Sequence, residues 1–345
     1  MPNNAQAAKT TSRLPEGFGA LEQVRDVVVA GGIELHRAGV CVVSPAGETI
    51  TGSAAGTTGA STDRAHFELL ERVATLEAIK TGASHQLLSS RGQAVAEISP
   101  ERLFPESPEP LRFRYARSNG VALHQSFRRA ALRARWELAE RDRVLRSWCG
   151  HGRPVPIAID HDACALRKSD GYFWQAFHLG RAAFAPEADV VSVIGFPSRR
   201  AEPLAMGFAA RPGVGAAFEA ALSESLQSLS FLWGEPLPSS PPPPGPTPLH
   251  HLEHFQYPPH HEQLRSWLSG EHFDRAAAPS RATGKDLEVR FVSLTPDWLP
   301  PGLAVVKAVC DGALQLAFGD APVMSDLIGH LPPHLRAGRG AHPVA

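Results

Sequence analysis

One pattern of apolar and acidic positions recurs along the chain at helical spacing. Ala65 to Arg72 reads AHFELLER, Ala134 to Arg141 reads ARWELAER, and a looser copy, ALSESLQ, runs from Ala221 to Gln227. Leu69, Leu70, Val73 and Leu76 give the first copy an apolar stripe. Leu138, Val144, Leu145 and Trp148 do the same for the second, so each copy is expected on a helix. Residues three apart on a helix are neighbours. Glu68 and Glu71 therefore project together, as do Glu137 with Glu140 and Glu224 with Gln227. A single E-x-x-E-R is ordinary on a solvated helix face, and Arg133 with Glu137 fits a simple helix ion pair. Recurrence with matched Ala and Glu positions points instead to one structural device used repeatedly.

The remaining pattern alternates short strands with helices and has no regular strand–helix–strand rhythm. Short strands broken by Gly turns are expected from Val27 to Val43, and strands between Leu87 and Ile98 and at Leu111–Tyr115. Buried strands follow at Val155–Asp160, Val190–Phe196 and Leu204–Ala210, a helix from Val214, and late strands at Asp286–Leu294 and Leu303–Val309. The fold class is α/β (α+β) with mixed sheets. Residues 1–17 are polar and expected to be disordered. Residues 18–345 are expected to form a single domain, with a Pro-rich connector at 236–248 that contains SSPPPPGPTP. Beyond the connector His250, His251, His254, His260 and His261 crowd together. Pro258 and Pro259 interrupt any helical spacing there, which favours a surface segment over a metal site.

Composition narrows the function. A formal net charge of -1 gives no global electrostatic case for nucleic acid or a membrane surface. No apolar run reaches bilayer-spanning length, and the N-terminus lacks the apolar core of a signal peptide. Cys41, Cys149, Cys164 and Cys310 are far apart and include no C-x-x-C pair. They read as reduced, mostly buried thiols of a cytoplasmic protein.

The candidate chemistry follows from the repeated helices. If they converge, several carboxylates meet, and like charges gathered in one place need cations to hold them. Carboxylate and carboxamide oxygens suit Mg2+, which binds through one or two carboxylates plus substrate phosphates. The Gly-rich run Gly52 to Asp63, GSAAGTTGASTD, reads as a turn or as a loop offering amides to phosphate at a helix start. It is no Walker A loop, because no Gly-Lys-Ser/Thr follows. Asn119-Gly120 signals a tight turn. Ser126 can cap the second helix, and Gln125 beside it stands where an amide could reach a phosphate or its metal.

The order of these stretches resembles the YcaO family: the Gly-rich run, ELLER from Glu68, SNGVAL from Ser118, ELAERD from Glu137, ALSESLQ from Ala221, VVKAVCDGALQLAFG from Val305 and the closing AHPVA. The resemblance covers most of the chain from about Gly39. It implies a fold with pseudo-symmetric halves and a cytoplasmic enzyme that uses ATP and Mg2+ to activate a backbone amide of a ribosomally made precursor peptide. The product would be an azoline, a thioamide or an amidine. Carried over position by position, Glu68, Glu71, Glu137, Glu140 and Glu224 would hold Mg2+. Glu71, Arg72, Gln125, Glu140, Arg141 and Gln227 would meet the nucleotide. No catalytic residue is assigned, the tail residues His342 and Pro343 being candidates. A separate leader-peptide-binding partner protein is expected, and a homodimer by resemblance alone. The chain departs from the family pattern at Ala65, where Ser is usual, at His124, where Gly is usual, and at Arg129, where an acid is common. Its tail keeps only Pro343 of a Pro-x-Pro-x-Pro-like ending. These departures motivate the alternative of a non-catalytic subunit that binds peptide or nucleotide and scaffolds a partner enzyme.

Overall fold

The computed structural model describes residues 14–59, 62–160, 165–270, 287–329 and 341–344. It is a mixed α+β fold. The chain opens with β1 (Glu22–Ala30), β2 (Ile33–Val43) and β3 (Thr49–Gly56), followed by α1 (Thr62–Thr81). Next come β4 (His85–Leu88), β5 (Ala94–Ile98), the short α2 (Pro100–Leu103), β6 (Phe113–Tyr115), β7 (Val121–His124) and α3 (Phe127–Trp148). The middle of the chain supplies β8 (Val155–Ile157), β9 (Tyr172–Gly180), β10 (Asp189–Pro197), β11 (Ala205–Arg211) and α4 (Val214–Leu232). It closes with α5 (Pro248–Gln256), α6 (His261–Ser269), β12 (Arg290–Ser293), β13 (Ala304–Val309), β14 (Ala317–Gly319) and α7 (Pro322–Ile328).

The strands form antiparallel sheets with the orders β1-β2-β3, β11-β10-β9-β8, β5-β4-β12-β13-β7 and β14-β6. Val27 to Val43 is thus not a set of short strands. It is a long hairpin in which Ala30 pairs with Ile33. Gly31 and Gly32, at φ +52° and +78°, make its two-residue turn, and a turn with both φ positive matches the twist of the flanking strands. Most of the Gly-rich run is likewise strand: Thr49 to Gly56 pairs with β2 along its whole length. Val155 to Asp160 yields only the three-residue edge strand β8, and its residues are exposed or half-buried. Residue 286, at the start of another expected strand, and Cys164 lie outside the described residues, as do residues 1–13 of the polar N-terminus.

Two helix-on-strand contacts are built alike. A Cβ on Gly52 would come within 2.1 Å of the Ala65 carbonyl oxygen and 2.6 Å of the Leu69 nitrogen. A Cβ on Gly207 would meet the Ala221 carbonyl at 2.1 Å and the Ser225 nitrogen at 2.4 Å. Only Gly lets the backbones of α1 and α4 approach β3 and β11 this closely. The alanine opening each repeat, buried in both cases, marks the contact point. Strand β10 is buried on both faces. Val191 and Val193 pack with Leu222 and Leu226 of α4, while Ile194 and Phe196 pack with Trp148, Phe255 and Trp267. Helix α4 also lies on β3 and β2, α1 reaches β7, and α3 reaches β11. The three repeat-bearing helices therefore meet where the sheets join.

The histidine segment is core, not surface. His251 is 1% and His261 8% exposed, the first packed edge-on against Phe318 and the second against Phe196. Among the described residues no helix is long and apolar enough to cross a membrane.

Candidate active site

The three helices deliver their glutamates to one place, and backbone amides of the adjoining strands fix them there. Glu68 Oε2 accepts from the Ser53 N–H at 2.7 Å. Glu224 Oε2 accepts from the Phe208 N–H at 3.2 Å. Each strand residue directly follows the glycine on which its helix rests, so the close approach and the hydrogen bond are one local arrangement used twice. Glu71 Oε2 accepts from the Leu123 N–H of β7 at 2.7 Å, and Glu137 accepts from the Gly120 N–H of the turn before β7.

The carboxylates form a closed electrostatic ring. Glu137 feels Glu71, Glu71 feels Glu68, and Glu224 feels Glu68. Glu140 then feels both Glu224 and Glu137. Burial is the largest influence and pushes Glu71 up to about 7 and Glu137 and Glu140 up to about 8. Burial also raises Glu224. Its side chain is solvent-accessible because it faces a cavity, while protein surrounds it on the other sides. Burial works against the charge of Arg141, yet Glu140, Glu137 and Glu224 together hold its pKa above the usual arginine value.

In the nucleotide-free protein the ring has a definite linkage sign. Carboxyls raised in the fold above their unfolded value favour folding at low pH. That contribution is complete below about 4.5 and is lost as pH rises through about 8.

A cavity of about 700 Å3 opens beside the ring and takes Gly52, Ser53, Glu68, Arg72, Arg141, Phe208, Glu224, Gln227 and Pro343 into its wall. Arg72 is fixed there by an ion pair to Glu68 at 2.6 Å and a hydrogen bond to the Thr51 carbonyl at 2.9 Å. Arg141 lies 3.5 Å from Glu140. Gln227 Nε2 sits 3.4 Å from Ser53 Oγ. Glu71, Glu137 and Glu140 stand behind this wall as the inner part of the ring. Gln125 does not reach the cavity wall; it is exposed, and its Oε1 accepts from Arg129 at 3.1 Å. No ion pair links Arg133 to Glu137 among the described residues. Arg133 instead lies over the Trp136 ring, 5.4 Å from its centroid.

His342 is fully buried and donates through Nε2 to the Ala317 carbonyl at 2.8 Å. With its proton on Nδ1, His251 donates to the His342 carbonyl and accepts at Nε2 from the Gly319 N–H, both at 3.2 Å. These bonds hold the tail so that Pro343 reaches the cavity. Accepting at Nε2 requires a neutral His251, and burial lowers His251 to about 2 and His342 to about 4.

Two cations of the ring escaped the sequence reading. Lys307 on β13 is 6% exposed. Its Nζ donates to Asn119 O at 2.7 Å and Arg117 O at 3.1 Å, clamping the turn whose Gly120 amide holds Glu137. Its signal was a lone cation inside the apolar run VVKAV. Arg211, at the end of β11, neighbours Glu140, Glu224 and Glu137; nothing in its local pattern marks it.

A family model described as YcaO cyclodehydratase, ATP- and Mg2+-binding, matches residues 100–314. The chain belongs to the YcaO family. The match spans the second and third repeats and leaves α1, with Glu68, Glu71 and Arg72, to the structure alone. No curated protein matches the chain. Among solved structures, it is similar to YcaO from Methanopyrus kandleri bound with AMPPCP and Mg2+, at 18% identity and a TM-score of 0.54 over 86% of each chain. It is also similar to a heterocyclase in complex with substrate and cofactor, at 16% identity and a TM-score of 0.58. That match covers 91% of this chain and 54% of the other. The E. coli microcin synthetase McbBCD complex matches at 12% identity and a TM-score of 0.55, over 84% and 87% of the two chains. At these identities the likeness is one of fold.

The residues fit the family's ATP and Mg2+. The donor set is carboxylate and carboxamide oxygen, as Mg2+ requires, and a cavity of this size is in the usual range for a small-molecule site. Among the described residues no three acidic, His or Cys side chains converge tightly enough to chelate a metal unaided. That agrees with a cation completing its shell from phosphate and water.

Proposed function

We propose that the chain activates a backbone amide of a ribosomally synthesised peptide at the expense of ATP, giving an azoline or, with an external nucleophile, a thioamide or amidine. The observation that carries this reading is the ring of five glutamates that three helices close beside the cavity. When bound, Mg2+–ATP supplies the phosphoryl group that makes the amide oxygen a leaving group. Glu68, Glu71, Glu137, Glu140 and Glu224 would hold the metal. Arg72 and Arg141 orient those acids and offer N–H donors to phosphate, and Gln227 adds an amide. Such chemistry needs positioning and charge neutralisation more than a protein nucleophile, and the ring supplies both. Val40, Phe231 and Leu252 give the cavity an apolar wall suited to a nucleobase. Residues 18–345 acting as one domain, a separate leader-peptide-binding partner and a homodimer belong to the same proposal.

Calorimetry with ATP and Mg2+ tests it first, with binding heat expected in wild type. Phosphate release in the presence of peptide and partner tests turnover. A second reading, a non-catalytic subunit that binds peptide or nucleotide and scaffolds a partner enzyme, is favoured by Arg129. Where the family commonly has an acid, this chain puts a guanidinium engaged with Gln125. Binding heat without turnover, with the correct peptide and partner, supports that second reading.

A further inference from the structure

We propose that the free edge of β1 docks an extended peptide, pairing main chain to main chain along Glu22–Ala30 and leading it to the cavity at Glu22 and Val24. The proposal rests on the peptide-substrate reading above and adds where the flanking part of that peptide binds.

Among the described residues β1 pairs with β2 on one side and with no strand on the other. Its register with β2 is continuous from Glu22–Cys41 to Ala30–Ile33, without a bulge. The strand contains no Pro, and every side chain from Glu22 to Val27 is exposed. Val24, Val27 and Val29 are 65%, 54% and 59% exposed. Proteins usually blunt such an edge with bulges, prolines, unpaired charges or a covering segment. Here Asp26 is already engaged by Arg37 at 2.6 Å, leaving Arg25 as the one charged side chain in the middle of the strand without a carboxylate partner among the described residues.

The edge is continuous with the site. Glu22 and Val24 belong to the cavity wall. Val24 pairs with Gly39, and Gly39 with Ser53, whose amide holds Glu68. This row crosses the sheet on its cavity face, and a Cβ on Gly39 would meet nothing within 4 Å. The row is therefore an open furrow. Neighbouring strands lie about 4.8 Å apart, so an added strand would sit roughly 14 Å from Ser53, with alternate side chains on the cavity face. The reacting amide would lie beyond the Glu22 end, where the peptide leaves the edge for the cavity. Strand addition reads main chain and leaves most side chains free, which suits an enzyme acting on the backbone amide itself.

The test uses a fluorescein-labelled peptide of about nine residues, the length of β1, alternating Val and Ser around a central Cys. Its partner probe is the same sequence N-methylated at consecutive residues. Saturable anisotropy is expected for the first, with at least about tenfold weaker binding for the second, since methylation removes donors on both peptide edges. Hydrogen exchange should slow at β1 amides when the first peptide is added. Equal binding of the two probes, no binding, or protection elsewhere than β1 overturns the proposal. So does β1 protection that grows with protein concentration in the absence of peptide, which would make the edge a contact between copies of the chain. The nucleotide site is read separately by ATP–Mg2+ calorimetry: heat from ATP without β1 protection defeats this inference and leaves the site reading intact.

Discussion

The glutamate ring and the histidine cluster are both dense groups of titratable side chains, and the fold treats them in opposite ways. The ring gathers five acids from three helices and sets them beside a cavity. The histidines come from one segment and the tail, and they are closed into an aromatic core with Phe255 and Phe318. Burial raises Glu71 to about 7, Glu137 and Glu140 to about 8, and also raises Glu224, and it lowers His251, His254, His261 and His342 to about 4 or below. In both places burial works against the charged form. In the ring, Arg72, Arg141, Arg211 and Lys307 stand by, and a cavity opens beside Glu68 and Glu224, where the proposed Mg2+ would enter. In the cluster Arg265 beside His261 and Arg141 near His342 add to the burial rather than offset it, and the rings serve as neutral hydrogen-bonding pieces of packing. Density of ionisable residues does not identify a site; access to a ligand does.

The comparison breaks most sharply at Glu137. Glu137→Gln keeps the shape and the Gly120 hydrogen bond while removing from the centre of the ring a carboxyl that would ionise when Mg2+ binds. Loss of one preorganised electrostatic group costs on the order of 100-fold or more in turnover, so ATP-dependent phosphate release should fall at least that far while the far-UV spectrum stays unchanged. Undiminished release would mean that the ring does not carry the reaction.

The next effect is mechanical. Gly207→Ala drives a methyl group into the α4 backbone at Ala221 and Ser225, and overpacking of this kind costs about 1–3 kcal/mol or more. Chemical denaturation should show that loss, together with weaker binding of ATP and Mg2+, because the Phe208 amide that holds Glu224 moves as well. An equal loss of stability with unchanged nucleotide affinity would separate the helix-on-strand contact from the site.

The two regions should also divide the pH dependence of the nucleotide-free protein. A histidine held neutral in the fold takes up a proton in the unfolded chain below about 6.5. The cluster's contribution is therefore present above that value and is lost as pH falls toward about 4. The ring acts in the other direction, its contribution fading as pH rises through about 8. Urea midpoints should peak between these limits, and His251→Phe should flatten the acid limb at a cost of about 1–3 kcal/mol for the unsatisfied Gly319 amide. An unchanged acid limb in that variant would remove His251 from the account.

Much of this site was legible because helix geometry is local. Glu68 with Glu71 and Glu137 with Glu140 follow from spacing alone, and the repeated alanine turned out to mark the point where helix meets strand. Convergence was not legible in the same way, since it depends on which sheets meet. The glycines at 52 and 207 show why: their role is to admit a helix backbone, and sequence alone reads Gly52 to Gly56 as a loop. Arg211 and Lys307 were missed because strands bring them to the ring from far along the chain. The histidines were misplaced because proline near a polar run suggests a surface, whereas α5 and α6 carry them inward around Pro258 and Pro259.

Gln125 gives the smallest and most discriminating expected effect. Its place before the Ser126 cap suggested contact with a phosphate or its metal, yet its carbonyl oxygen faces Arg129 and the cavity wall does not include it. An exposed residue paired with one exposed neighbour contributes within about 0.5 kcal/mol to stability. Gln125→Ala should therefore leave the urea midpoint in place and change ATP affinity by less than about threefold. Gln227→Ala, which removes an amide from the cavity wall, should weaken ATP binding by about tenfold, the equivalent of roughly one hydrogen bond to a charged group. If calorimetry ranked the two substitutions the other way, the nucleotide would have to lie along the Gln125–Arg129 side of the ring. Arg129 would then be a phosphate ligand standing where the family commonly has an acid.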